Sequence, residues 1–272
     1  QLIRGDALSL PLADGSVDLI CTSPPYFALR SYTDGGEHYD GQIGSEATPQ
    51  EFLEALWVWT AECRRVLKPS GSLWVNLGDK YSATHTGTQG PTGDRASRSE
   101  AKAKVRRITA DTGGIPAKSL MGLPWRYAIG CIDQLGLILR AEVIWSKPNG
   151  LPESVTDRVR RSHEQWFHFT KEPRYFSAVD EVREPHDDTF HAGRRGHGEV
   201  SWQSGPKGDV HSQNRTDGWG VKLYNPLGKL PGSVWTVPTE PLRVPDHLGV
   251  DHFAAFPSEW PRRIILGWSP SG

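Results

Sequence analysis

Four consecutive residues, Ser23-Pro24-Pro25-Tyr26, have the types and spacing best suited to chemistry in this sequence. Neither proline has an N–H, each fixes its own φ angle, and Pro25 pushes Pro24 toward an extended backbone. The segment is therefore predicted to be a stiff, non-helical turn. It offers a serine hydroxyl, backbone carbonyls with no N–H beside them, and an aromatic face. Such a set can hold a planar ring that bears an amine, with oxygens on the amine and the tyrosine stacked on the ring.

The residues before this turn predict the element that positions it. Residues Val17–Thr22 are apolar and rich in β-branched side chains, which predicts a buried strand. In open α/β sheets, ligands bind at the carboxyl ends of the strands, and the turn would lie there. The alternative is an ordinary loop that ends a strand, since prolines mark turns in many contexts.

Composition limits the classes of protein to consider. A chain of 272 residues is long enough for one large α/β domain with insertions or for two small domains. Its 31 basic and 32 acidic residues nearly balance, so any nucleic-acid surface must be local. The three cysteines, Cys21, Cys63 and Cys131, are far apart, which argues against a disulfide framework and fits a reducing cytosol. No apolar run approaches the ~18 residues of a membrane helix, and no signal-peptide pattern is visible.

Further elements follow from periodicity and capping. Thr48-Pro49-Gln50-Glu51 is a strong helix start, and Lys68-Pro69-Ser70-Gly71 is the predicted helix end. Additional strands are predicted at 72–77, 137–145 and 165–170, and additional helices at 123–135 and 258–268. The first strand, the helix and the second strand are of βαβ length, so they predict a parallel pair with a right-handed crossover.

Several segments together resemble the amino-methylating DNA methyltransferases, whose catalytic motif is Asp/Asn/Ser-Pro-Pro-Tyr/Phe at the end of a strand. Besides Ser-Pro-Pro-Tyr, the resemblance rests on Gly5-Asp6, on the residues 65–75, on Trp-Ser-Lys-Pro-Asn-Gly at 145–150, and on His-Glu at 163–164. The segment 252–257 resembles the one that packs against the methionine end of the cofactor. The order, with the catalytic motif first and the cofactor segment last, resembles the permuted class of these enzymes.

The resemblance implies a fold and an activity. The fold is α/β, a Rossmann-like S-adenosylmethionine-dependent methyltransferase sheet with helices on both faces. It is expected to be incomplete at the C-terminus, because the glycine-rich cofactor loop of the family would follow Gly272. The activity is transfer of a methyl group to the exocyclic N4 of cytosine, flipped out of double-stranded DNA. The Asp and Asn forms of the motif are more typical of adenine N6 enzymes, so adenine N6 is the alternative.

The same resemblance assigns residues to roles. The catalytic residues are Ser23, Pro24, Pro25 and Tyr26. The residues expected to bind S-adenosyl-L-methionine are Asp6, Thr22, Ser23, Phe256 and Pro257. For Asp6 the alternative is a carboxylate that only forms a turn.

Two polar regions are predicted insertions in a methyltransferase domain that spans 1–272. Residues 82–117 are basic and poor in large apolar side chains, and residues 181–231 occupy the place of the family's target-recognition segment. The residues expected to contact DNA are Arg95, Arg98, Arg106, Arg107, Lys147, Asn149, Arg160 and Arg161. The alternative for these charges is a solvated surface. The second region holds four histidines, but without cysteines or a tight histidine pair no metal site is expected.

Other functions stay open on the sequence. One is methylation of a protein glutamine amide, which uses a similar Asn-Pro-Pro-Tyr turn; the serine at position 23 and the basic insertion count against it. Another, from a different class, is a catalytically silent DNA-binding fragment. A cognate restriction nuclease is an expected partner, and the expected compartment is the cytoplasm.

Overall fold

A computed structural model describes residues 3, 5–28, 33–34, 37–38, 41–82, 113–186, 225–241 and 255–271. The helices and strands, in chain order, are β1 (Val17–Thr22), β2 (Thr33–Asp34), β3 (Glu37–His38), α1 (Pro49–Val66), β4 (Leu67–Leu77), α2 (Leu123–Asp133), β5 (Ile138–Ser146), β6 (His163–Thr170), β7 (Val234–Thr236) and α3 (Glu259–Trp268). Strands β2 and β3 form a small hairpin of their own.

The main sheet has five strands in the order β1-β4-β6-β5-β7. Strand β4 is parallel to β1, as the βαβ pattern predicted, and antiparallel to β6. Strand β6 is also antiparallel to β5, and β5 is parallel to β7. The carboxyl ends of β1, β4, β5 and β7 therefore lie at one edge of the sheet, together with the amino end of β6.

The prediction that β1 is buried is wrong. All six residues of β1 are half-buried. The physical reason is that β1 is an edge strand of the described sheet, with β4 on one side.

Helix α1 begins as its sequence predicts. The Thr48 side chain accepts a hydrogen bond from the Glu51 N–H, the Glu51 carboxylate accepts one from the Thr48 N–H, and Pro49 follows the cap. Its end differs from the prediction, because β4 begins at Leu67 and no loop intervenes. Residues 68–71 instead form an irregularity in the pairing with β1, which joins Val17 to Leu67 and then Leu19 to Ser72.

Two apolar cores cover the two faces of the sheet. Side chains of β4 alternate between them, since Leu73 and Val75 pack in the core under α1 and α2 whereas Trp74 packs in the other. The second core, under α3, is rich in tryptophan, and the Trp260 ring stacks on Trp166 at 4.8 Å between ring centroids. Helices thus lie on both faces of the sheet, as predicted.

Candidate active site

A cavity of about 910 Å³ lies at the edge of the sheet where the strand ends converge. Its walls come from the turn after β1, the residues after β4, the loop after β5, the start of β6 and the segment after β7. All four residues of the predicted catalytic turn line it. The topology explains this placement, because parallel strands deliver the residues that follow them to one edge.

The Ser23 hydroxyl is oriented by Asn76, a residue that the sequence had not singled out. Ser23 Oγ donates to Asn76 Oδ1 at 3.3 Å. The amide of Asn76 is itself fixed, because its Nδ2 donates to the Gln165 carbonyl at 3.1 Å and the residue is only 1% exposed. With its hydrogen directed to Asn76, the Ser23 oxygen keeps its lone pairs for accepting hydrogens from a ligand.

Tyr26 is held at its hydroxyl and along its ring. The hydroxyl lies 2.9 Å from Asn76 Oδ1 and 2.8 Å from Glu164 Oε2. A Cβ added at Gly78 would lie 2.6 Å from Tyr26 Cε2, so the ring packs directly on the glycine backbone. The close approach requires glycine at position 78, because any side chain there would displace the ring.

Glu164 joins Tyr26 to the loop that follows β5. Its Oε1 accepts a hydrogen bond from the Lys147 ammonium, and both side chains are less than one-fifth exposed. The Lys147 ammonium also lies over the Trp145 ring, 4.0 Å from the ring centroid. A partly buried ion pair of this kind fixes the relative position of the two chain segments that carry it.

Asp79 contacts both the start of α2 and Arg161 at another part of the cavity wall. Its carboxylate accepts hydrogen bonds from the N–H groups of Gly122 at 3.0 Å and Leu123 at 3.2 Å, at the start of α2. Its Oδ2 also lies 3.7 Å from the Arg161 guanidinium, and the Asp79 side chain is 7% exposed. Asp79 therefore caps α2, where a negative charge is favourable, and holds Arg161 at the cavity wall.

The residues expected to contact DNA have several different environments. Lys147, Asn149 and Arg161 line the cavity, but each also makes contacts within the chain. Asn149 Nδ2 donates to the Thr239 carbonyl at 3.2 Å and its Oδ1 accepts from the Thr239 N–H at 2.8 Å. The Arg160 guanidinium donates to the Gly150 carbonyl at 3.0 Å and does not line the cavity. Arg95, Arg98, Arg106 and Arg107 lie outside the described residues.

Only some of the residues expected to bind the cofactor line the cavity. Ser23 and Phe256 line the cavity, whereas Thr22 and Pro257 do not. Asp6 does not line it either: its carboxylate accepts from the Leu8 N–H at 2.9 Å, which is the turn-forming alternative. The described residues around Asp6 contain no strand.

Sequence reasoning missed three site residues: Asn76, Asp79 and Glu164. Each had a visible signal. Asn76 is a polar residue inside the apolar run of β4, Asp79 follows the carboxyl end of that strand, and Glu164 is in the His-Glu pair that begins β6. What the sequence lacked was the antiparallel pairing of β4 with β6, which brings Glu164 to the same edge as the turn.

Two titratable groups of the cavity wall, Lys80 and His163, have pKa values shifted by burial. Burial lowers the pKa of Lys80, and burial followed by the charge of Arg161 lowers the pKa of His163. Burial raises the pKa of the Cys21, Cys63 and Cys131 thiols to about 12, and none of the three lines the cavity. These thiols stay protonated at neutral pH and do not supply a nucleophile.

Neither a metal cluster nor a membrane span is found in the part of the chain that the structure describes. Within it, no three His, Cys, Asp or Glu side chains are grouped to hold a metal ion. Three of the four clustered histidines, His191, His197 and His211, lie outside it. None of its helices is both long and apolar enough to cross a membrane.

An α/β sheet with helices on both faces is the architecture of the Rossmann-like methyltransferases. The solved PvuII DNA methyltransferase (cytosine-N4-specific) has this fold, with a TM-score of 0.56 over 98% of this chain and 69% of that one, at 18% identity. A family model described as DNA methylase matches residues 17–272. The chain belongs to this family, the N6/N4 amino-methylating DNA methylases.

Curated relatives agree with the family model. The chain is 35% identical to the type II methyltransferase M.Cfr9I of Citrobacter freundii, over all of this chain and 73% of the relative. It is 43% identical to the type II methyltransferase M.XycI of Xanthomonas campestris pv. cyanopsidis, over 68% of this chain. That match spans 59% of the length of the Xanthomonas relative.

The cavity fits the family's methyl donor, S-adenosyl-L-methionine. Its volume of about 910 Å³ lies in the range of roughly 300–1,000 Å³ that is usual for cofactor sites. Phe256 gives it an aromatic wall, and the Ser23–Tyr26 turn gives it oxygen acceptors beside an aromatic ring. This is the mixture of apolar surface and few polar groups that such sites use.

Proposed function

We propose that the whole protein transfers a methyl group from S-adenosyl-L-methionine to the exocyclic N4 of cytosine in double-stranded DNA. The observation that carries the proposal is the Ser23 hydroxyl, which lines the cavity and donates to a fixed Asn76 at 3.3 Å. The oxygen can therefore accept a hydrogen from an amine that enters the cavity. The structural neighbour PvuII DNA methyltransferase, which is named as cytosine-N4-specific, supports the choice of base.

The chemistry needs the chain to activate a weak nucleophile. The exocyclic amine is conjugated with the ring, so its lone pair is delocalised. Ser23 Oγ and the Pro24 carbonyl accept the two amine hydrogens, which leaves the lone pair directed at the incoming methyl group. S-adenosyl-L-methionine would supply that methyl group as an electrophile: its S–CH3 bond breaks as the N–C bond forms, S-adenosylhomocysteine is the leaving group, and the methylated nitrogen loses one proton to water. The remaining contribution of the protein is in-line positioning, which can supply much of the barrier reduction.

The target amine lies inside the duplex, so the base must leave the stack before it reaches Ser23. In the proposal, Tyr26 receives the flipped base by stacking. Its hydroxyl contacts with Asn76 and Glu164, and its packing on Gly78, hold the ring in place before the base arrives. A preorganised ring loses little conformational entropy when the base binds.

Phosphate contact is proposed for the basic insertion 82–117, and target recognition for residues 181–231. Residues 83–112 and 187–224 of these regions lie outside the described residues. Support for phosphate contact comes from the excess of Arg and Lys in residues 82–117, which suits a polyanion even though the net charge of the chain is −1. The names of the relatives as type II methyltransferases support a cognate restriction nuclease as a partner.

Identifying the modified base tests the proposal directly. DNA is incubated with the protein and S-adenosyl-L-methionine, digested to nucleosides and separated by mass spectrometry. N4-methylcytosine supports the proposal, and N6-methyladenine without N4-methylcytosine replaces it with the adenine alternative. The Ser23→Ala variant is the matched control, because the rate of product formation should fall about 10²-fold or more if the signal comes from this cavity.

A further inference from the structure

Leu151 is an apolar side chain held in water at the mouth of the catalytic cavity. It lines the same cavity as Ser23 and Tyr26, yet it is 87% exposed. Scattered exposed leucines are common on protein surfaces, so exposure by itself says little. Its position at a catalytic cavity is more informative. A leucine in water would lower its free energy by moving its side chain into an apolar environment.

Hydrogen bonds fix the backbone on both sides of Leu151. Arg160 donates to the carbonyls of Gly150 at 3.0 Å and Leu151 at 3.4 Å. On the preceding side, Asn149 makes two hydrogen bonds with the backbone of Thr239. The next residue is Pro152, which restricts the Leu151 backbone to extended conformations. The chain therefore holds Leu151 in a projecting position.

The surroundings of Leu151 suit a nucleic acid. Between positions 147 and 161 the chain has four basic residues, Lys147, Arg158, Arg160 and Arg161, and two acidic ones, Glu153 and Asp157. The Arg158 guanidinium stacks over the Tyr81 ring at 3.8 Å and pairs with Glu153. An apolar projection in a chain segment that has more basic than acidic residues complements a duplex, which is apolar within its base stack and anionic outside.

We propose that Leu151 is a wedge that enters the base stack of DNA at the place the target base leaves. The inference rests on the proposed function, since only a base that has to be flipped leaves such a space. Apolar side chains inserted between base steps are a known way of unstacking DNA, and flipping carries an unstacking and unpairing cost. Leu151 fills the vacated space and thereby lowers the cost of moving the base to Ser23.

The test compares two variants on two duplexes. Leu151→Ala removes the wedge, and Val159→Ala is the matched control, because Val159 is 85% exposed in the same loop but does not line the cavity. One duplex carries the site that the wild-type protein methylates, and the other has an abasic site opposite the target base. Methyl transfer is measured as kcat/KM, and flipping as the fluorescence of a base analogue that pairs normally at the target position, such as pyrrolocytosine for a cytosine target.

On the paired duplex, Leu151→Ala should lower kcat/KM about 10- to 100-fold and suppress the fluorescence increase, because flipping costs a few kcal/mol. On the abasic duplex, the kcat/KM of Leu151→Ala should come within a few-fold of the wild-type value, since little pairing energy has to be overcome. Val159→Ala should match wild type on both, and Leu151→Phe should retain activity.

An equal loss on both duplexes would show a structural role for Leu151 and overturn the inference, as would wild-type activity on both. The proposed function is judged separately, from the wild-type product. If the product is N6-methyladenine, the proposed target base is wrong, and the comparison of the two duplexes still tests the role of Leu151. If the wild-type protein methylates no DNA, both the proposed function and the inference about Leu151 are overturned.

Discussion

The Tyr26 hydroxyl lies 2.8 Å from Glu164 Oε2, although 138 positions separate the two residues in the chain. Tyr26 follows the carboxyl end of β1 and Glu164 lies near the amino end of β6, and β4 runs between these strands. Glu164 also pairs with Lys147 after β5. One carboxylate thus connects the Ser23–Tyr26 turn to the loop that carries Leu151.

This connection predicts coupling between Tyr26 and Glu164. Tyr26→Phe and Glu164→Gln should each lower kcat about tenfold, because the Tyr26 ring loses part of its anchoring. The fold-loss of kcat in the double variant should be smaller than the product of the two single fold-losses, with a coupling free energy of roughly 0.5–3 kcal/mol. Single-turnover rates of the four proteins measure it. Independent, multiplicative losses would contradict the coupling.

Ser23→Ala should lower methyl transfer about 10²-fold or more, by analogy with the loss of one transition-state hydrogen-bond partner. The affinity for S-adenosyl-L-methionine should change little, since the variant keeps the backbone turn. Single-turnover kinetics and calorimetric titration measure the two effects. Ser16→Ala is the control, because the Ser16 hydroxyl bonds to the Ala13 carbonyl away from the cavity. Near-normal turnover of Ser23→Ala would remove Ser23 from the mechanism.

Gly78→Ala should impair activity more than stability. The added Cβ would meet the Tyr26 ring at 2.6 Å, and the ring would have to leave its contacts with Asn76 and Glu164. We expect a fall in kcat with a modest shift in Tm. Gly232→Ala should be neutral in both assays, because an added Cβ has no neighbour within 4 Å there. Equal behaviour of the two variants would contradict this account of Gly78.

His168 predicts how stability depends on pH. It is 2% exposed, stacks on Trp74 at 4.4 Å, and pairs with the Ser72 hydroxyl at 3.0 Å. Burial, and then the charge of Arg140, lower the pKa of His168 from 6.5 to about 3. Between these values the unfolded chain binds a proton that the folded chain does not, so stability falls as pH drops below 6.5.

Urea unfolding at about pH 7.5, 6.5, 5.5 and 5.0 measures this dependence. The His168→Gln variant keeps a partner for Ser72 but cannot bind the proton. Its midpoint should therefore vary less with pH over this window than the midpoint of the wild-type protein. Identical pH profiles would show that another group carries the effect.

The basic insertion 82–117 predicts that DNA binding by the protein depends on salt concentration. Replacing Arg95, Arg98, Lys102, Lys104, Arg106 and Arg107 by serine should weaken binding to all DNA sequences about equally. The slope of log K against log salt should fall by roughly one unit for each phosphate that the variant no longer neutralises. Fluorescence anisotropy over a range of salt concentrations measures the slope. An unchanged slope would mean that these side chains are solvated and do not contact phosphate.

The sequence by itself determined the local features of this protein. Ser-Pro-Pro-Tyr predicts a rigid turn because two prolines restrict the backbone, and Thr48 with Glu51 begins α1 through contacts three residues apart. The apolar run at 72–77 predicts a strand, and the βαβ spacing predicts its parallel pairing with β1. Each of these depends on neighbours in the chain, whose types the sequence displays directly.

Only the tertiary structure decided which distant residues complete the site. Asn76 lies 53 positions from Ser23, and Glu164 lies 138 positions from Tyr26. Their contacts depend on strand order and register, and a shift of one residue in β4 would turn Asn76 to the opposite face. The half-buried state of β1 and the exposure of Leu151 beside the cavity are likewise properties of the assembled sheet. They depend on which elements pack together, and that is decided by the free energy of the whole fold.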